Sequence, residues 1–141
     1  MLTMGNTHSV KKINFEDMQA MINDNKTIIV NTLDLSKQEC LIKRTISATE
    51  EAKIINDLIA TTYSNRVVIY GMNAADDSIV KKYNQLCSLG LTNVVVYPGG
   101  LFEWLLLQDI YGFGHFPTTR KDPDILKYKG NKLGSLLMIT N

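Results

Sequence analysis

The chain is short of the residues that most protein chemistry is built from. It has two cysteines, two histidines, three prolines and one tryptophan in 141 residues. Cys40 and Cys87 are far apart and form no CxxC pair, so the sequence predicts no disulfide framework and no thiolate metal site. His8 and His115 are equally remote, so no metal and no cofactor is expected. Charge is nearly balanced at +1, which leaves no reason to expect nucleic acid or an anionic membrane as a partner. No apolar run approaches the ~20 residues of a membrane-spanning helix. The first residues show no basic segment followed by an apolar core, so they do not read as a secretory signal. A reducing, cytoplasmic setting is the expectation. Neither GxxxxGKS/T nor GxGxxG occurs, so the common phosphate-cradling loops are missing too.

What is present is a regular alternation of apolar runs and amphipathic segments. Residues 27–30, 67–70 and 94–97 are continuous β-branched and aromatic runs, which predict buried strands over 27–30, 66–70 and 94–97. Cys40-Leu41-Ile42 reads as a further short strand. Asn14 is placed to cap a helix with Phe15, Met18, Met21 and Ile22 on one face. Ser47 and Glu50 have capping-box spacing ahead of Ile54, Ile55, Leu58 and Ile59. From Ser78 the apolar positions Ile79, Val80, Tyr83, Leu86 and Cys87 predict a helix that buries Cys87, and Gly90 stands where a left-handed cap belongs. Residues 101–110 form a largely apolar helix containing Trp104. Strands that are apolar throughout, alternating with helices, predict an α/β fold: a mainly parallel sheet covered by helices on both faces.

The order of motifs in the middle of the chain resembles the second half of a rhodanese-like domain. Val67-Val68-Ile69-Tyr70 precedes Gly71-Met72-Asn73-Ala74-Ala75-Asp76-Asp77-Ser78, then a helix, then Leu89-Gly90-Leu91-Thr92-Asn93. Val94-Val95-Val96-Tyr97 and Pro98-Gly99-Gly100-Leu101-Phe102-Glu103-Trp104 follow. In that family a strand ends in Val-Tyr-Cys before a six-residue catalytic loop, and a Gly-Gly-x-x-x-Trp motif comes later. The resemblance spans roughly residues 13–104. Its first half is weaker. Val30-Asn31-Thr32-Leu33 stands where the family has a bracing Asp and Arg. Ile42-Lys43-Arg44-Thr45-Ile46 keeps the frame of His-Ile-Pro-Gly-Ala-Ile without its His, Pro or Gly. The resemblance implies a three-layer rhodanese-like fold, with residues 1–12 as a lead-in, 13–116 as the domain and 117–141 as a C-terminal extension expected to pack on it. The apolar stretch 133–139 would dock on the body or serve as an attachment element.

Gly71 falls at the position that the resemblance assigns to the nucleophilic cysteine. A sulfurtransferase needs a low-pKa thiolate there, backbone N–H groups curled toward it, and often a nearby cation. The degenerate loop Gly71, Met72, Asn73, Ala74, Ala75, Asp76 and Asp77 has the length but lacks the thiol. Asp76 and Asp77 sit at the helix start, where carboxylates are favoured. They read as helix caps first, and as a loop that satisfies its own anion-binding N–H groups second. No catalytic residue is therefore assigned. The expectation is a non-catalytic domain that binds another protein, as a scaffold or regulator. The alternatives are a sulfurtransferase or phosphatase-like enzyme with an atypical loop, or a structural component of a larger assembly such as a viral particle. Cys40 reads as a surface or core residue, His115 as a partly packed loop histidine, and Gly99-Gly100 as a tight turn needing positive φ. Between Arg120 and Lys132 lie five basic and two acidic residues. A solvated tail is the plain reading, and a docking surface for an acidic partner the sharper one.

Overall fold

The computed structural model describes residues 10–61 and 65–133. His8 and the stretch after Leu133 lie outside these residues. Three strands, β1 (Thr27–Asn31), β2 (Arg66–Tyr70) and β3 (Val94–Tyr97), form a parallel sheet in the order β1-β2-β3. Ile29 pairs with Val68, and Val68 with Val95. Helix α2 (Glu51–Thr61) joins β1 to β2, and α3 (Ser78–Ser88) joins β2 to β3. Successive crossovers of one hand, stepping in one direction, place both helices on the same face. The other face takes α1 (Phe15–Ile22) and α4 (Gly100–Tyr111).

The strands sort their side chains accordingly. Ile29, Val68, Tyr70, Val95 and Tyr97 join Met18, Met21, Leu101, Trp104 and Phe116 in one buried cluster. Val30, Val67, Ile69, Val94 and Val96 face Ile55, Leu58, Ile79 and Leu86 in the other. The fold is α/β with a parallel sheet between two helical layers, as the continuous apolar runs predict. Residues 11–13 extend it: Lys12 bridges Val96 in parallel, and Ile13 N–H donates to Val96 O at 2.8 Å. This part of the lead-in is therefore tied to the sheet edge.

Asn14 caps α1 by a capping box with Asp17, its Oδ1 accepting Asp17 N–H at 2.9 Å. Gly90, at φ +104, closes α3. Three local expectations change. Cys40-Leu41-Ile42 is not a strand; Ile42 makes one isolated antiparallel bridge to Thr118, although all three residues are buried. Ser47 bonds the Thr49 hydroxyl at 3.1 Å within a turn, and α2 begins only at Glu51. Of the glycine pair only Gly100 has positive φ, at +70.

The first-half departures from the family motifs have physical substitutes. Within the segment 30–33, where the resemblance implies a bracing Asp and Arg, Asn31 instead exchanges side-chain bonds at 2.8 and 3.1 Å with Gln38, which lies beyond that segment. Arg44 adopts φ 72 at the motif's glycine position. Its guanidinium donates to Ile22 O at 2.7 Å and Asp24 O at 3.0 Å, capping the carbonyls at the end of α1. A backbone position suited to glycine is thus held by a side chain that satisfies a helix end.

Candidate functional site

In open α/β sheets, ligand sites form beyond the carboxyl ends of the strands. Here that position belongs to the loop 71–77, between β2 and α3. Gly71 is buried directly after Tyr70. A Cβ added to it would lie 2.6 Å from Asp76 Oδ2, 2.9 Å from Thr32 Oγ1 and 3.0 Å from Ile79 Cγ2. The space of a side chain at position 71 is already filled.

Asp76 fills it because the loop's own donors hold it. Oδ2 accepts Met72 N–H at 3.0 Å, and Oδ1 accepts Ser78 N–H at 2.9 Å. The Ser78 hydroxyl lies 2.5 Å from Asp76 Oδ1 and 2.6 Å from Thr32 Oγ1. Partial burial pushes the Asp76 carboxyl up, but the bonds from Met72 and Ser78 outweigh it and hold the group below its ordinary value. Asp77 does not share this role. It occupies the N-cap position with helical φ and ψ (−75°, −12°) and makes no side-chain capping bond. A capping side chain reaches back to the helix from an extended residue, which Asp77 is not. The pair of expected caps is one lock, Asp76, and one exposed carboxylate, Asp77.

The rest of the loop is tied from two sides. Gly71 O and Met72 O accept Leu101 N–H and Phe102 N–H of α4, at 3.0 and 2.9 Å. This close approach needs Gly100, since a Cβ there would meet Gly71 O at 2.8 Å. Asn73 is buried, accepts Ala75 N–H at 2.9 Å and donates Nδ2–H to Tyr128 O at 2.9 Å. Ala74 and Ala75 are exposed. Through Asn73, residues 126–131 become the outer wall of a cleft of about 800 Å³ over the loop. Thr32 and Lys37, which follow β1, and Lys127 and Lys129, in the 126–131 segment, all line the cleft. Sequence reasoning missed Thr32, Ser78 and these lysines as parts of one site.

The cysteines stand elsewhere. Cys40 is buried, its Sγ 3.3 Å from Arg120 O, and burial raises its thiol pKa. Cys87 is exposed, contrary to the helical-face reading. Ile79 and Leu86 meet the sheet, whereas Val80 and Cys87, one position further round, fall on the outer side. Native thiol labelling is therefore expected to be fast at Cys87 and slow at Cys40. The reverse order, read by mass spectrometry after a short pulse, would overturn both placements. His115 is exposed, and Trp104 is fully buried with Nε1–H donating to Pro117 O at 3.1 Å. Among the described residues no group of three His, Cys, Asp or Glu is placed to hold a metal, and no helix is long and apolar enough to cross a membrane.

No family model and no curated protein matches the chain. Solved structures do. The Alr3790 protein from Anabaena sp. superposes with a TM-score of 0.53 at 21% identity, over 80% of this chain and 83% of that one. An uncharacterised Saccharomyces cerevisiae protein gives 0.53 at 16% identity, over 70% and 93%. The S. cerevisiae single-domain sulfurtransferase RDL2 gives 0.50 at 15% identity, over 76% and 98%. The fold is therefore rhodanese-like, an assignment of architecture at these identities.

Proposed function

We propose that this chain is a rhodanese-fold domain without thiol chemistry, and that it works by binding another protein. The observation that supports this most is the filled space at Gly71. A sulfurtransferase nucleophile needs a thiolate that is accessible and stabilised by donors. At position 71 there is no thiol, and the donors that would stabilise one are engaged by Asp76. Neither cysteine substitutes: Cys40 is buried with a raised pKa, and Cys87 lies on the outer side of α3.

The test is transfer of sulfane sulfur from thiosulfate to cyanide, and loading of the protein with persulfide. Neither should exceed the level of a Cys40→Ser/Cys87→Ser variant. Turnover that disappears in that variant would make the protein an atypical sulfurtransferase instead.

A further inference from the structure

We propose that the cleft over loop 71–77 is a docking groove for an acidic peptide segment of a partner protein. The inference rests on the binding role proposed above and gives the partner a chemistry. It begins with the charges of the lining. Lys37, Lys127 and Lys129 contribute cations, and Asp34 and Asp76 contribute anions. Asp76 is already committed to Met72 and Ser78. Lys127 pairs with Asp122 at 2.7 Å. Among the described residues, no carboxylate comes within ion-pair distance of Lys37 or Lys129, and no cation within that distance of Asp34, so the unpaired charges of the lining are two cations and one anion. The two lysines come from different segments of the lining, Lys37 after β1 and Lys129 from 126–131, so a carboxylate-bearing chain in the cleft has a cation available from each.

The surroundings extend the same bias. A second recess shares Lys37 and Lys127 with the first and adds Arg120 and Lys121. Its acidic members, Glu39 and Asp122, are paired with Arg120 and Lys127. Leu126 lines the cleft and is 62% exposed, which offers an apolar contact in the same lining as the lysines. A volume of about 800 Å³ exceeds one side chain and is open to a short run of residues. A small anion, by contrast, would need the loop N–H groups of Met72 and Ser78, which Asp76 already occupies.

The test uses a fluorescein-labelled Glu-Glu-Leu-Glu-Glu peptide, its Gln-Gln-Leu-Gln-Gln counterpart, and inorganic phosphate, each titrated into the ¹⁵N-labelled protein at low salt. The acidic peptide should shift amide signals of residues 32–37, 72–76 and 126–131. The Gln peptide should not. Lys37→Glu combined with Lys129→Glu, both surface changes, should weaken binding about tenfold, because two attractive contacts become repulsive. Circular dichroism checks that this variant is folded. Shifts spread over other basic surfaces, unchanged affinity in the variant, or no binding would overturn the proposal. So would phosphate producing the same shifts as the peptide. Sulfurtransferase turnover is read separately, so failure of the groove and failure of the non-catalytic assignment give different signatures.

Discussion

Gly71→Ala should destabilise the protein by roughly 1–3 kcal/mol, as overpacking of a filled site does. The backbone is not the obstacle: φ at Gly71 is not positive, so a side chain is conformationally allowed. The cost comes from Asp76 Oδ2 and Thr32 Oγ1, which stand 2.6 and 2.9 Å from the new atom. Asp76→Ala should cost about 2 kcal/mol, since it removes the acceptor for Met72 N–H and Ser78. Made together, the two changes should cost less than their sum by about 1 kcal/mol or more, because removal of the carboxylate makes the room that alanine needs. Urea denaturation of the four proteins measures that coupling, and strict additivity would refute the packing argument. The same logic extends to chemistry. Gly71→Cys alone should take up no sulfur from thiosulfate, since the carboxylate crowds the thiol and raises its pKa. Gly71→Cys with Asp76→Ala should acquire a measurably lower thiol pKa. If the two variants titrate alike, Asp76 has no electrostatic part in the loop.

Tyr70→Phe should cost about 2 kcal/mol despite the loss of a single oxygen. Tyr70 is fully buried, and its hydroxyl accepts Ile42 N–H at 3.0 Å and lies 2.8 Å from the Thr45 hydroxyl. Phenylalanine would leave a buried N–H without a partner, the expensive way to lose a hydrogen bond. A change within ~0.5 kcal/mol of the parent, the range of an ordinary surface substitution, would contradict this. The hydroxyl also sets an alkaline limit. Burial pushes the Tyr70 phenol above its ordinary value of 10.0. The folded state therefore holds that proton more tightly than the unfolded chain does. The resulting stability is fully present below pH 10 and is lost as pH rises beyond it. Tyr70→Phe should flatten part of this alkaline fall. Tyr97 and Tyr128, also raised by burial, sustain the rest.

The strands were the easiest elements to read in the sequence. Residues 66–70 and 94–97 coincide with β2 and β3, and β1 runs one residue beyond the predicted run. Strands buried on both faces write their position as unbroken β-branched sequence, with no dependence on distant partners. Faces of helices were harder. The pattern from Ile79 to Cys87 admits a wide apolar stripe, but the sheet covers only one side of it, that of Ile79 and Leu86, so Val80 and Cys87 are left outside. The loop was legible as a place and not as a mechanism. Its carboxylates and missing thiol are visible in the sequence. That Asp76 occupies the volume of an absent side chain is set by Thr32, Ser78 and Ile79 in three dimensions. Thr32 and Ser78 are 46 residues apart, and no periodicity links them. Arg44 carried no local sign of its backbone geometry either.

The bond from Asn73 to Tyr128 spans 55 residues and joins the loop to the outer wall of its cleft. This places the cleft late in the order of synthesis. The three strands and α4, which ends at Tyr111, all precede residues 126–131 in the chain and so leave the ribosome before them. Residues 126–131 emerge afterwards, so the sheet can assemble while the loop still lacks its roof. Until Tyr128 arrives, Asn73 has no carbonyl to grip, and Lys127 and Lys129 are not yet part of any surface. A chain without residues 126–131 lacks one wall of the cleft, and the folded protein has it. Any partner that needs both walls of the cleft discriminates between the two, binding only after residues 126–131 have emerged and packed.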